Sequence, residues 1–272
     1  MWTNPNKNFW EKRRVLVTGA TGFVGSWLVN ELISLGASII ALVPGSELYP
    51  SAYVNKADIK IEDGVLERFN TLHYIFWKHS PQTVFHLGAQ TQVKEAYNNP
   101  LATLETNIRG TYNILEVCRR YPRIVEQIIV ASSDKAYGVS SSSGLPYKED
   151  HKLIGSYPYD VSKSCADLIA QGYAKTYDLP IGITRCGNIY GGGDMNWDRI
   201  VPGTIRSLYQ GKSPVIRSDG KFVRDYIHIE DTVAAYLCLA EKLASDSSYW
   251  GQAFNFSGRS PVSVLDLVEK IQ

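Results

Sequence analysis

The sequence predicts an α/β fold built on a doubly wound parallel sheet, followed by a smaller C-terminal lobe. The main observation is that short, β-branched apolar runs alternate with longer amphipathic segments, which is typical of strands and helices in a parallel sheet. The second observation is a glycine-rich turn between the first strand and the first helix, and the third is a change of pattern after residue 188. In chain order, the predicted strands are 14–19, 37–43, 82–89, 126–133 and 179–187, and the predicted helices are 23–36, 65–79, 100–121 and 159–178.

We expect residues 1–187 to form the sheet domain and residues 188–272 to form the smaller lobe, interleaved with the first. Residues 191–194 and the polar loop 138–156 with its short serine run read as loops, whereas 214–219 and 222–243 read as short elements of the lobe. The final run, Ser263 to Gln272, has the pattern of a helix that stops early. We therefore expect the lobe to be truncated at its C-terminus.

Composition limits the function classes. Of 272 residues, 28 are basic and 27 are acidic, and this balance argues against a nucleic-acid-binding surface. No apolar run is long enough to span a membrane, and the N-terminus lacks the apolar core of a signal peptide, so we expect a cytoplasmic protein. The four cysteines are widely spaced, which predicts reduced thiols and no metal site.

The glycine-rich turn has the spacing GxxGxxG. Gly19 permits the tight turn, Gly22 lets backbone amides approach a pyrophosphate, and Gly25 lets the helix pack closely on the strand. The following helix directs the positive end of its dipole at the phosphates. This strand–turn–helix context predicts a dinucleotide-binding Rossmann fold, with Gly19, Thr21, Gly22, Phe23, Val24 and Gly25 as cofactor residues.

The choice of cofactor depends on the end of the second strand. No aspartate stands there to bind an adenosine ribose, and no arginine or lysine stands there to bind a 2′-phosphate. We therefore favour NAD over NADP, and we leave open whether Glu47 is only a solvated loop residue.

A second motif, Tyr159-Asp160-Val161-Ser162-Lys163, places a phenol and an amine on one face of a helix. The usual pKa of a phenol, about 10, is too high for a base at neutral pH, and a nearby ammonium lowers it. The pair therefore predicts a general base that removes the proton of a sugar hydroxyl while a hydride leaves the same carbon. At the end of an upstream strand, Ser133, Asp134 and Lys135 add a hydroxyl, an acid and an amine.

These motifs, together with HLGAQ at 86–90, RCGNIYGGGD at 185–194 and VRDYIHIED at 223–231, resemble the extended short-chain dehydrogenase/reductase superfamily. The resemblance covers nearly all of the chain and implies a nucleotide-sugar epimerase, dehydratase or decarboxylase. Within the superfamily, Ser133-Asp134-Lys135 is most similar to the CDP-glucose type of 4,6-dehydratase.

The resemblance implies the catalytic roles. Tyr159 would deprotonate the sugar 4-hydroxyl, assisted by Ser133 and Lys163. Lys135 would take the C5 proton, and Asp134 would protonate the departing 6-hydroxyl. A lysine acts as a base only in its uncharged form, so the assignment of Lys135 carries a condition that the sequence does not test.

The resemblance also implies binding residues. The further cofactor residues are Asp63, Leu87, Gly88, Ala89, Gln90, Asn107 and Cys186, and the substrate residues are Gln90, Asn188, Arg199, Arg217 and Arg224. Asp63 has a second interpretation, as a cap of the following helix. The resemblance further implies a homodimer built on the helices at 100–121 and 159–178.

Two other functions stay open. A nucleotide-sugar C4 epimerase would use the same oxidation by Tyr159 and Lys163 without elimination of water. A non-catalytic protein that senses dinucleotides would need the glycine turn but neither of those side chains.

Overall fold

The central sheet lies in the part of the chain that the computed structural model describes, residues 5–45, 59–138 and 145–272. Its strands are β1 Arg14–Thr18, β2 Ser38–Val43, β3 Ile59–Asp63, β4 Thr83–His86, β5 Gln127–Ala131, β6 Ile181–Cys186 and β10 Ala253–Phe256. Within these ranges the strands pair in the order β3-β2-β1-β4-β5-β6-β10, all parallel. From β1 the sheet is extended on one side by β2 and β3, and the chain then returns to add β4 on the other side of β1. At this switch point a crevice for a ligand forms at the carboxyl ends of β1 and β4.

Helices cover both faces of the sheet. The helices are α1 Lys7–Trp10, α2 Phe23–Ser34, α3 Phe69–His79, α4 Val93–Asn98, α5 Pro100–Leu104, α6 Gly110–Arg120, α7 Pro158–Tyr177, α8 Ile200–Tyr209, α9 Ile229–Ser245 and α10 Val264–Ile271. Successive side chains of a strand point to opposite faces, so Val15 and Val17 pack in the core beneath α2 and α9, whereas Leu16 packs in the core beneath α3, α6 and α7. The predicted doubly wound α/β fold is confirmed.

The segment after residue 188 forms a small lobe and also returns to the sheet. In the lobe, β7 Asn188–Tyr190 pairs with β9 Tyr226–His228, and β8 Val223–Arg224 pairs with β11 Val262–Ser263. In contrast, α9 packs on α2, and β10 extends the sheet beside β6. The predicted boundary between residues 187 and 188 stays a prediction.

The structure differs from the predicted elements at several positions. The helix predicted over 100–121 contains a π turn at Glu105–Arg109, which separates α5 from α6. Strand β3 was not predicted, α3 begins at residue 69 rather than 65, and residues 214–219 are irregular. The strand predicted over 82–89 ends at His86, so residues 87–90 leave the sheet as a loop over the crevice. The serine run lies outside the described residues.

Candidate active site

The glycine turn brings two backbones into direct contact. Gly19 has a φ of +69°, and a Cβ atom built on it would lie 2.8 Å from the Cα of Gly88. A Cβ atom on Gly25 would lie 2.1 Å from the carbonyl oxygen of Gly19. Both positions therefore require glycine. Gly22 is the N-cap of α2 without a capping side chain, so the first amides of this helix face the crevice.

A cavity of about 410 Å³ lies at the carboxyl edge of the sheet, in front of this turn. The sequence-predicted residues that line it are Gly19, Gly22, Phe23, Val24, Gly25, Leu87, Ala89, Ser133, Asp134, Lys135, Tyr159, Lys163, Cys186, Asn188 and Arg199. The structure therefore gathers all five predicted catalytic residues and the glycine turn around one cavity.

Tyr159 and Lys163 both lie in the buried wall of the cavity, on the first turns of α7. Burial raises the pKa of Tyr159 to about 12, while a hydrogen bond with Ser133 and the charge of Arg199 act in the opposite direction. Burial lowers the pKa of Lys163 to about 8. The Nζ atom of Lys163 donates a hydrogen bond of 2.8 Å to the carbonyl oxygen of Ala131. The pKa of this phenol is thus raised rather than lowered as the sequence predicted, because desolvation and the carboxylates of Asp134 and Asp160 outweigh the hydrogen bond with Ser133 and the charge of Arg199.

Ser133, Asp134 and Lys135 follow β5 in a short 3₁₀ turn, Asp134–Tyr137. The Oγ atom of Ser133 donates to Asp134 Oδ1 at 3.0 Å and accepts from the Lys135 backbone amide at 3.2 Å. The turn is fixed to α7 because Ser164 donates to the carbonyl oxygen of Ala136 at 2.8 Å. The acid and the amine therefore occupy defined positions beside Tyr159.

Asn107 acts from behind the cavity rather than from its wall. It lies in the π turn, 2% exposed, and its side chain bonds the backbone amide and carbonyl of Gln90 at 2.8 and 2.9 Å. Its Nδ2 atom also donates to Ser162 Oγ at 2.9 Å, and Ser162 donates to the carbonyl oxygen of Tyr159 at 2.7 Å. Asn107 thus supports α7 and the loop after β4.

Several predicted binding residues lie apart from the cavity wall. Arg217 pairs with Asp198 on the surface, and Arg224 bonds the carbonyl oxygen of Val223 and lies over Phe222. Thr21, Gly88 and Gln90 lie in the loops that shape the cavity but are not among its lining residues. For Arg217, Arg224, Thr21, Gly88 and Gln90, a direct ligand contact stays a prediction.

Asp63 is the last residue of strand β3 and does not cap a helix. Its Oδ1 atom accepts a 2.7 Å hydrogen bond from the amide of Gly45, which fixes the loop after β2. Helix α3 begins after Arg68, so the interpretation of Asp63 as its cap is wrong. Glu47 lies outside the described residues.

The comparisons with known proteins agree with this geometry. Residues 15–255 match the model of the NAD dependent epimerase/dehydratase family. The chain belongs to this family. CDP-glucose 4,6-dehydratase of Salmonella typhimurium is 31% identical over 266 residues, which covers 93% of this chain and 73% of that protein.

Solved structures of the family superpose closely on this chain. The dTDP-glucose 4,6-dehydratase of Bacillus anthracis in complex with NAD has a TM-score of 0.83 at 26% identity, covering 95% of this chain and 80% of the other. The UDP-glucose 4-epimerase of Thermotoga maritima with UDP-glucose has a TM-score of 0.82 at 28% identity, covering 95% and 81%. This family member is therefore an NAD-dependent nucleotide-sugar dehydratase or epimerase, as its sequence motifs predicted.

The cavity fits NAD in two further respects. The close approach of Gly25 to Gly19 leaves the backbone of the turn bare of side chains, as a bound pyrophosphate requires. The hydroxyl of Ser132, which lines the same cavity, is buried and lacks a hydrogen-bond partner within the described ranges. Such a group offers a donor and an acceptor to a polar ligand.

Sequence reasoning missed some residues of the site. Ser132 follows β5 directly and precedes Ser133, so its position at a strand end was a usable signal. Asp160 follows Tyr159 and is 7% exposed; burial raises the pKa of its carboxyl group, Lys135 lowers it and Asp134 raises it. The remaining lining residues that were not predicted include Thr91, Ile189, Tyr190, Asp194, Tyr226 and Tyr236.

The cysteines and possible metal ligands complete the inventory. Cys118 and Cys186 are buried free thiols, and burial raises the pKa of Cys186 to about 12. Over the ranges that the structure describes, no cluster of three or more histidine, cysteine or acidic side chains could hold a metal ion. In those ranges, no helix has the length and apolar character needed to cross a bilayer.

Proposed function

We propose that this chain is a nucleotide-sugar 4,6-dehydratase of the CDP-glucose type. The observation that carries the proposal is the presence of Asp134 and Lys135 in the wall of the cavity that holds Tyr159 and Lys163. Epimerisation at C4 needs one acid–base group at the 4-oxygen. Elimination of water needs two more, a base at C5 and an acid at the 6-oxygen, and this chain supplies both.

The first step is the oxidation of C4. Tyr159 takes the proton of the 4-hydroxyl, and Ser133 hydrogen-bonds the same oxygen. To act as this base Tyr159 must be a phenolate, and the ammonium of Lys163, one helical turn further along α7, stabilises that charge before the proton is transferred. The glycine turn, Gly19 to Gly25, would hold NAD, and the bound cofactor would supply a reversible acceptor for the hydride of C4.

The following steps remove water. The new 4-keto group acidifies the C5 proton, which Lys135 takes. The C6–oxygen bond breaks as Asp134 gives a proton to the departing hydroxyl, so that water leaves and a C5–C6 double bond forms. Lys135 then returns its proton to C5, and with the hydride that bound NAD would supply at C6 the product is the 4-keto-6-deoxy sugar. The proton that Tyr159 took from the 4-hydroxyl replaces the one that Asp134 gave, so that glucose becomes the product and water with no net change of protons or electrons.

The binding residues follow from the same cavity. Arg199 lines it and is held by Asp194 at 3.0 Å, which places a guanidinium beside Tyr159. We assign Arg199 and Asn188 to the substrate, since arginine binds a pyrophosphate through charge-assisted hydrogen bonds. The similarity to the Salmonella typhimurium CDP-glucose enzyme supports cytosine as the base of the substrate.

The proposal extends to assembly. Leu101 on α5, Tyr112 on α6 and Leu168 on α7 are exposed apolar side chains on the two segments through which the resemblance implies a dimer. We propose a homodimer through these elements, which sedimentation at several protein concentrations tests. A cytoplasmic location stays a prediction.

The test of the activity is a panel of CDP-, dTDP- and UDP-glucose followed by mass spectrometry and NMR. A product one water lighter, formed fastest from CDP-glucose and carrying deuterium at C6 when the substrate is deuterated at C4, supports the proposal. A product of unchanged mass, inverted at C4, identifies an epimerase instead. Tight NAD binding without conversion of any of the three substrates contradicts the proposal and favours the dinucleotide-sensing alternative.

A further inference from the structure

A chain of buried hydrogen bonds starts at the foot of the glycine turn. Thr18, the last residue of β1, lies opposite His86, the last residue of β4. The Oγ1 atom of Thr18 lies 2.9 Å from His86 Nδ1 and also accepts a 3.0 Å hydrogen bond from the amide of Gly88. These contacts hold the glycine turn and the loop after β4 together.

The chain continues on the other side of the imidazole. His86 Nε2 lies 3.0 Å from the Oγ1 atom of Thr111 on α6. Thr111 donates in turn to the carbonyl oxygen of Asn107 at 2.6 Å. His86 is 3% exposed and Thr111 2%, so bulk water does not compete for these bonds.

The hydroxyl protons of Thr111 and Thr18 determine which nitrogen of His86 carries the ring proton. The hydroxyl proton of Thr111 lies on the contact with the Asn107 carbonyl, which has no proton of its own. Nε2 of His86 must therefore carry a proton and donate to Thr111. Thr18 then donates its hydroxyl proton to a bare Nδ1, and every group in the chain is satisfied with a neutral imidazole.

The electrostatic surroundings agree with the neutral form. Burial lowers the pKa of His86 to about 3, and the nearby ammonium of Lys163 acts in the same direction. A second proton, on Nδ1, would make Thr18 Oγ1 the acceptor from both the imidazole and the Gly88 amide, so the hydroxyl proton of Thr18 would have to turn away from Nδ1.

From Asn107 the bonds reach the catalytic helix. Asn107 holds the backbone of Gln90 and donates to Ser162, and Ser162 donates to the carbonyl oxygen of Tyr159. The dinucleotide turn and the catalytic tyrosine are thus joined by one continuous set of hydrogen bonds that passes through a single imidazole ring.

We propose that His86 is a positioning residue, a neutral imidazole fixed as its Nε2–H tautomer, that couples the dinucleotide turn to the placement of Tyr159. The functional part of this inference rests on the proposed oxidation by Tyr159. The structural part, the tautomer and the coupling between the two segments, holds independently of the substrate.

The tautomer is tested by long-range ¹H–¹⁵N NMR of the five histidines in the NAD-bound enzyme, with His86→Gln to assign the signal. We expect a neutral Nε2–H pattern that does not titrate between pH 8 and about pH 5, given its low pKa. An Nδ1–H pattern, or titration near the usual pKa, overturns the proposal.

The coupling is tested with Thr111→Val, which keeps the shape and removes the hydroxyl, against Thr111→Ser, which keeps the hydroxyl. In hydrogen exchange of the NAD-bound protein, we expect Thr111→Val to accelerate exchange in peptides 86–92 and 157–165, and Thr111→Ser to leave them unchanged. Faster exchange confined to 105–115 means that the role of Thr111 is local and overturns the coupling.

The kinetic readout separates positioning from binding. For Thr111→Val we expect kcat to fall roughly tenfold with KM and NAD affinity unchanged, because a small misplacement of a catalytic group is costly, and we expect Thr111→Ser to restore kcat. If kcat is the same in Thr111→Val and Thr111→Ser, the hydrogen bonds of Thr111 do not affect the placement of Tyr159, and this part of the proposal is overturned. If the wild-type protein converts no sugar nucleotide, the proposed function has failed, and the NMR and exchange results alone decide the coupling.

Discussion

The Nζ atom of Lys163 lies 2.8 Å from the carbonyl oxygen of Ala131, the last residue of the strand that leads to Ser133. This bond ties α7 to the end of β5, so that the amine, the phenol of Tyr159 and the hydroxyl of Ser133 lie on two connected elements. Because both titratable groups are buried, their pKa values move in opposite directions, with Lys163 lowered to about 8 and Tyr159 raised to about 12. The chemistry and the pH dependence of the site both follow from this arrangement.

Removal of the phenol tests the first oxidation directly. We expect Tyr159→Phe to lower the rate of C4 oxidation by about 10²–10⁴-fold, the usual contribution of a general base, without loss of NAD binding. Stopped-flow absorbance at the reduced-cofactor band with CDP-glucose measures the rate, and titration calorimetry measures the binding. Tyr157→Phe is the matched control, since Tyr157 is 59% exposed and is the N-cap residue of the same helix, α7. Equal rates in the two variants contradict the assignment.

The buried amine predicts a pH dependence of stability. The folded pKa of Lys163, about 8, lies below its usual 10.5, so the unfolded chain binds more protons between these two values. The free energy of unfolding of the wild type relative to Lys163→Met should therefore rise as the pH increases from 8 towards 10.5, and stay level below 8. Urea unfolding at about pH 7 and about pH 9.5 measures the difference. A difference that is constant over this range would show that the amine is not desolvated.

In the proposed mechanism, the choice of dehydration over epimerisation depends on Lys135. We expect Lys135→Met to oxidise C4 and reduce the bound cofactor, but to lose exchange of the C5 proton with D₂O and loss of water. NMR in D₂O follows both processes in one sample. Lys148→Met is the control, because Lys148 is an exposed lysine on the neighbouring segment. Dehydration at the wild-type rate in Lys135→Met would remove this residue from the mechanism.

The local parts of this site were predictable from sequence, and the long-range parts were not. Tyr159 and Lys163 are four residues apart, and helical spacing alone puts them on one face. The bonds of Asn107 to Gln90 and Ser162 join segments 17 and 55 residues apart in the chain, which no local pattern records. The π turn around Asn107 was missed because one wider turn hardly disturbs an apolar stripe that continues on both sides.

The missed strand has a different physical reason. β3 is an edge strand of the sheet, and its residues Lys60, Glu62 and Asp63 are polar, so the period-two apolar signal is weak. Pairing with β2 stabilises it instead, through five registered residue pairs. The resemblance also implied Arg217 as a substrate residue; its guanidinium pairs with Asp198 on the surface, and a ligand contact of Arg217 stays a prediction.

A buried ion pair below the site predicts a large effect on stability. Arg185 and Asp167 have side chains 2% and 0% exposed and share two hydrogen bonds at 2.8 and 3.0 Å. Asp167→Asn leaves the guanidinium buried without its counter-charge, which typically costs about 3–5 kcal/mol. Urea unfolding measures the loss. Glu105→Gln, which breaks an exposed pair with Arg109, should cost no more than about 0.5 kcal/mol. Similar costs in both variants contradict the expected dependence on burial.

Two glycines on helices predict opposite outcomes of the same substitution. In Gly25→Ala the new methyl group meets the carbonyl oxygen of Gly19 at 2.1 Å, so the turn must open and NAD affinity should fall together with stability. Gly172 lies in the exposed part of α7 with no atom within 4 Å of a built Cβ, and Gly172→Ala should stabilise the protein by about 0.5–1 kcal/mol because alanine restricts the unfolded chain.

Thermal unfolding with and without NAD measures both effects. NAD should raise the unfolding temperature of the wild type and of Gly172→Ala equally, and that of Gly25→Ala far less; an equal shift in all three proteins would mean that the cofactor does not lie against the glycine turn.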